Sequence, residues 1–193
     1  MIKAIYFDYH GVLDRRNFHG LVEVIAGAAG QPDPKKISAV LVSEVYAYAS
    51  GEIPPHQFWR SIEERFGTTA NRAGRQYQLH VEPVLDVWNI VSSLHDRYAL
   101  GLLSDCSSDK KETIRSAYAL TEYFDYLLFS CDAHTNKQHA AFYQLMLQNG
   151  VYQPDECLLI DDEEKNCTKA MSAGFQVHVY RDIATLRDYL QTL

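Results

Sequence analysis

Asp8 closes a short apolar run at residues 2–7, and Tyr9-His10-Gly11 follows it. A second apolar run, 98–103, ends on Ser104-Asp105, and a third, 157–160, ends on Asp161-Asp162. Lys137 stands between the second and third, downstream of another apolar run at 126–129. A carboxylate can attack phosphorus and form an acyl-phosphate. Three carboxylates brought to one point repel one another and call for a cation, and an all-oxygen donor set favours Mg²⁺. Such an ion would hold a nucleophile and a phosphate together and offset their charge. Lys137 would balance the remaining phosphate charge, and Ser104 would hydrogen-bond a phosphate oxygen. A helix beginning near residues 107–109 would add backbone N–H groups. Each residue also has a plainer role: Asp8 as a turn former, Asp161-Asp162 and Ser104 as caps, Lys137 as a surface lysine. What favours chemistry is that all of them follow apolar runs.

Those runs read as buried strands, joined by a fifth at 176–180 after Gly174. Apolar residues at helical spacing separate them, at 113–120, 140–148, 166–173 and 183–190. Strands alternating with helices imply an α/β fold, a doubly wound parallel sheet covered on both faces. Ligands of such sheets sit beyond the carboxyl ends of the strands, where the residues above fall. Residues 15–94 break the rhythm and carry no convincing strand. Ile37, Val40, Leu41, Val45 and Tyr48 line one helical face, and Phe58, Trp59, Ile62 and Phe66 another after Pro54-Pro55. Gly30, Gly51 and Gly67 read as helix stops. A helix through Val84, Val87, Trp88, Val91 and Leu94 leads back to the sheet. The expected organisation is a core of residues 1–14 and 95–193 with a helical insertion at 15–94. The insertion's aromatic residues Tyr46, Tyr48, Phe58 and Trp59 read as its own core rather than as a substrate box.

Composition narrows the function. The chain has 193 residues, 47% hydrophobic and 22% charged, enough for a sizeable core. A net charge of −7 argues against a general nucleic-acid or anionic-membrane partner. No apolar run approaches a membrane span, and the first residues read as a strand rather than a signal peptide. Four dispersed cysteines without a CxxC pair suit a reduced, cytoplasmic protein, with the thiols as small core residues. No His-x-x-x-His pair supports zinc, no Gly-x-Ser-x-Gly elbow a serine hydrolase, and no Gly-x-x-x-x-Gly-Lys-Ser/Thr run a P-loop enzyme.

The ordered set of motifs resembles the haloacid dehalogenase-like (HAD) superfamily over the whole chain. Asp8-Tyr9-His10-Gly11-Val12-Leu13 is similar to its nucleophile loop, and Ser104 to its second motif. Lys137 with Phe142-Tyr143 is similar to its third, and Asp161-Asp162 with Asn166, Ala170 and Gly174 to its metal-binding motif. The resemblance implies Asp8 as nucleophile and Asp8, Asp161, Asp162 and the His10 carbonyl as Mg²⁺ ligands. It implies Lys137 as a catalytic and phosphate-binding cation, Ser104 and Asp105 beside the substrate, and the insertion as a helical cap. Three positions depart from the pattern. His10 replaces the usual acid/base aspartate, and a histidine titrating near neutrality can serve as acid and base. Asp105 replaces asparagine, and its carboxylate should turn from a phosphate. Gln138-His139 replaces the proline after the lysine.

The function implied is a Mg²⁺-dependent phosphatase of a small phosphorylated molecule. A dehalogenase is the alternative inside the family, but those members need no metal and lack the acidic pair found at Asp161-Asp162. A phospho-ligand-binding protein with little turnover is the alternative outside it, because of His10. The sequence is silent on substrate identity and oligomeric state.

Overall fold

The computed structural model describes residues 1–31, 33–149 and 151–193. Strand β1 (Ala4–Phe7) is followed by helices α1 (Phe18–Ala28), α2 (Pro34–Ala49), α3 (Pro55–Phe66), α4 (Thr68–Gln78) and α5 (Leu85–Leu94). Then come β2 (Ala99–Ser104), α6 (Ser108–Ala117), β3 (Tyr126–Phe129), the single turn α7 (Ser130–Ala133) and α8 (Ala140–Asn149). The chain ends with β4 (Cys157–Asp161), α9 (Glu164–Ser172), β5 (Gln176–Val179) and α10 (Ile183–Leu190). The sheet is wholly parallel, in the order β3-β2-β1-β4-β5. No described helix is long and apolar enough to cross a membrane.

Alternation along the strands builds two cores. Ile5 and Phe7 face one way with Leu100, Leu102, Leu158 and Ile160, under Trp88 and Val91 of α5, Ile114 of α6 and Leu186 of α10. Ala4 and Tyr6 face the other way with Leu159, under Phe142, Tyr143 and Met146 of α8 and Ala170 of α9. Gly101 leaves room for the Tyr6 ring, which any Cβ there would overlap. Helices on both faces make the sheet doubly wound.

A third core belongs to the insertion. Leu21, Val22 and Ile25 of α1 pack with Leu41 and Tyr48 of α2 and with Phe58, Trp59 and Ile62 of α3. Every described helix and strand from 15 to 94 is a helix. Helix α5 lies within that span, but its apolar face packs on the sheet, and Trp88 Nε1 donates to the Leu13 carbonyl at 3.0 Å. Gly30, Gly51 and Gly67 do end helices, each with positive φ.

Several expectations shift. Val40, read on one helical face with Ile37, Leu41, Val45 and Tyr48, is 50% exposed and stands apart from the buried Ile37, Leu41 and Tyr48. Helix α6 begins at Ser108, where the helix start near 107–109 was expected, five residues before the apolar spacing that opens at 113. Helix α9 likewise begins at Glu164, two residues before its apolar pattern.

Candidate active site

The three aspartates meet because β1 and β4 are neighbours in register. Phe7 pairs with Ile160, and the Asp8 amide donates to the Ile160 carbonyl at 2.9 Å. Asp8 and Asp161-Asp162 therefore leave the same edge side by side. One oxygen from each of the three carboxylates lies within 4.8 Å of the others. Gly11 is what lets the loops approach: its φ is +81°, and a Cβ there would overlap the Asp162 carboxylate.

Lys137 is buried against this cluster. Its Nζ lies 2.7 Å from Asp8 Oδ1 and 2.7 Å from Asp161 Oδ2. The loop carrying it is held by Asp105, whose Oδ1 accepts the Lys137 amide at 3.0 Å. The Asp105 carboxylate is thus engaged by the Lys137 backbone, although the residue still lines the pocket. Asn166 donates to Asp161 through Nδ2 at 3.0 Å, so it orients that aspartate and not Lys137.

The charges are out of balance. Burial pushes Asp8 well above the usual carboxylate range; Lys137 pulls it back, and the charges of Asp161 and Asp162 push it up again. Burial, helped by Asp161, raises Asp162 to about 6. Burial also raises Asp105 to about 6, against the pull of Lys137. Desolvation works against the Lys137 ammonium, but Asp161, Asp8 and Asp105 outweigh it and its pKa is raised well above the usual lysine value. One lysine is too little positive charge for these carboxylates, and a hard divalent cation suits both the charge and the all-oxygen donors.

His10 lines the pocket, and its environment overturns the expectation of a group titrating near neutrality. Burial, then the charges of Lys110 and Lys137, push it down to about 3. The ring is neutral at pH 7, and a bound cation would push it in the same direction. Ser104 ends β2, fully buried, and its hydroxyl finds no hydrogen-bond partner among the described residues. It does not border the cavity that Asp8, Asp105, Asp162 and Lys137 line. Ser107, at the start of α6, does. Cys106 is buried beside it, its thiol raised well above the usual value by burial.

The cavity measures about 120 Å³, and the insertion forms its roof through Phe18, Leu21, Val45, Tyr46, Tyr48 and Tyr77. Tyr48, Phe58 and Trp59 stay in the insertion core as expected, Tyr48 also bordering the cavity, whereas Tyr46 lines the cavity. Roof and floor are fastened. Asp109 accepts from Tyr48 Oη at 2.6 Å and from Trp59 Nε1 at 3.3 Å. Ser130 Oγ donates to the Ala49 carbonyl at 2.7 Å, and Asn136 Nδ2 to Ser50 Oγ at 2.7 Å. Sequence reasoning missed two cations of the pocket, Arg16 and Lys110. Lys110 sits in a polar run that reads as solvated, and no spacing in the sequence shows that it is buried.

The fold and the cluster at its strand ends define a hydrolase of a known kind. The model for haloacid dehalogenase-like hydrolases matches residues 28–180, most of the chain, and the protein belongs to that family. Among solved structures it is similar to a HAD family enzyme of Bacteroides thetaiotaomicron in complex with magnesium and inorganic phosphate (20% identity, 96% of this chain and 99% of that one, TM-score 0.73). It is similar to a HAD-like family hydrolase of Porphyromonas gingivalis (20%, 98% and 98%, 0.76). It is also similar to the L-2-haloacid dehalogenase of Xanthobacter autotrophicus (19%, 92% and 76%, 0.61). At these identities the likeness speaks for the fold. No curated protein matches the chain.

Proposed function

We propose that the protein is a Mg²⁺-dependent phosphatase of small phosphomonoesters. The observation that carries this is the cluster of Asp8, Asp161 and Asp162 with one lysine among them. Mg²⁺, held by these three carboxylates and the His10 carbonyl, would supply charge neutralisation for nucleophile and phosphate. Asp8 attacks phosphorus, the P–O bond to the alcohol breaks, and the phosphoryl group passes to the carboxylate. Lys137 holds Asp8 and Asp161 apart from each other's charge and offers its ammonium to a phosphate oxygen. The hydroxyl of Ser104, buried at the end of the neighbouring strand and off the cavity, is not among the donors this arrangement offers that phosphate. Asp105 is a positioning residue, fixing the Lys137 backbone.

His10 enters as a neutral imidazole, so it is a proton acceptor before it is a donor. With a pKa of about 3 it is also a weak base, so its part is limited to accepting a hydrogen bond from the water that hydrolyses the aspartyl-phosphate. The departing alcohol then receives no proton from His10 in the first half-reaction, and esters with good leaving groups should react fastest. The insertion, residues 15–94, serves as the cap, with α1–α4 as the roof that excludes water. The four free, buried thiols suit work in the cytoplasm.

The dehalogenase reading finds support in the likeness to the Xanthobacter enzyme, and the carboxylate cluster weighs against it. Metal removal separates the two. EDTA should abolish hydrolysis of para-nitrophenyl phosphate, and added Mg²⁺ should restore it. Unchanged turnover in EDTA, or metal-independent release of halide from a haloacid, would sink the phosphatase reading.

A further inference from the structure

The pocket holds two buried lysines in opposite circumstances. Lys137 sits between carboxylates. Lys110 is 1% exposed, lines the same cavity, and makes no ion pair among the described residues. Its ammonium has three donors. It gives one to the His80 carbonyl at 2.6 Å and lies 5.5 Å over the Tyr9 ring. The nearest buried anion, Asp14, is committed elsewhere. Its oxygens accept from Tyr9 Oη at 2.9 Å, the Glu82 amide at 2.9 Å and the Arg16 amide at 2.8 Å. Lysines are almost never fully buried without a partner.

Arg16 lines the cavity beside it. Its guanidinium stacks 4.5 Å from the Tyr77 ring centroid, and Nη2 lies 3.7 Å from the half-exposed Glu82 carboxylate. Its Nε is buried with no hydrogen-bond partner. Burial lowers the Lys110 pKa; Asp14 raises it in part, and the charge of Arg16 lowers it again. Two cations that repel each other at one cavity, with donors to spare, form a receptor for an oxyanion. They are distinct from Lys137, which serves the phosphate end.

We propose that Arg16 and Lys110 bind a second oxyanion of the substrate, so that the protein acts on phosphate esters that also carry a carboxylate or a second phosphate. The proposal rests on the phosphatase reading and extends it to a substrate class. With about 120 Å³ available, the two oxyanions must be joined by a short spacer.

The test compares kcat/KM of the Mg²⁺-loaded protein for phosphoglycolate, ethylene glycol bisphosphate and ethyl phosphate, in the wild type, Lys110→Met and Lys110→Arg. The wild type should favour one of the two esters with a second oxyanion over ethyl phosphate by at least about tenfold, the reach of one charge-assisted contact. Whichever leads identifies the oxyanion. Lys110→Met should shrink that preference at least about tenfold, and Lys110→Arg should keep most of it. A wild-type ratio near one, or a ratio that Lys110→Met leaves intact, overturns the proposal. If Lys110→Met does not fold, Arg16→Gln is read in its place. If no ester turns over at all, the phosphatase reading fails, and malonate binding to the Asp8→Asn protein by calorimetry decides the subsite instead. Binding weakened at least about fivefold by Lys110→Met upholds it, and unchanged or absent binding refutes it.

Discussion

The floor and the roof of this pocket are built on different terms. The floor is set by the sheet: Asp8, Ser104 and Asp161 end parallel strands, and strand register alone brings Asp8 and Asp161 together. The roof is set by helices with a separate core, fastened to the floor through Asp109, Ser130 and Asn136. On the floor, a residue's place in the chain and its place in space are nearly the same information. In the roof they are not, because contacts such as Tyr48 with Asp109 span the fold and depend on how two helical layers meet. Reaction type should therefore lie with the floor and substrate choice with the roof.

The sharpest way to break this division is Asp8→Asn. It keeps the shape of the floor and removes the nucleophilic charge, so turnover should fall at least about 10³-fold with an unchanged melting temperature. Residual turnover within tenfold of wild type would mean that the floor does not hold the nucleophile. Asp109→Ala acts on the fastening instead. It leaves the Tyr48 hydroxyl without its acceptor, which should cost about 1–3 kcal/mol by denaturant melts. KM should rise several-fold, with kcat less affected. Equal loss in kcat and none in KM would place Asp109 in the floor's chemistry.

His10 gives the smallest effect at pH 7 and sharpens the boundary between the two. Its folded pKa of about 3 lies below the ordinary 6.5, so the folded state resists protonation. The stability tied to the neutral ring is present above pH 6.5 and is lost as pH falls towards 3. His10→Asn should flatten this part of the wild-type stability profile over that range. An identical profile in both proteins would place His10 in a solvated setting and return it to the expected role of neutral-pH acid.

This contrast also governs what the sequence disclosed. The parallel sheet, its five strands and the gathering of Asp8, Lys137, Asp161 and Asp162 were legible because apolar runs mark strands and parallel strands share one ligand edge. The start of α6 near 107–109 was legible too, but which side chain of its polar first turn is buried was not, since a turn with no apolar face does not show its inward side. Lys110 lies in that turn, so a buried cation passed for a solvated one. The lowered pKa of His10 comes first from its burial and then from Lys110 and Lys137, none of which could be read from residue type. Tyr46 shares a helix with the core residues Leu41 and Tyr48, and helical spacing does not say which flank of the stripe meets a cavity.

Gly11 performs no chemistry, yet any replacement there is strained. The positive φ disfavours any side chain, and even a methyl group would displace the Asp162 carboxylate. Nucleophile loop and acidic loop are thereby keyed together like two halves of a lock. A single substitution at this residue should therefore disturb the acidic cluster, whereas single substitutions in the roof should alter only how the cavity is lined.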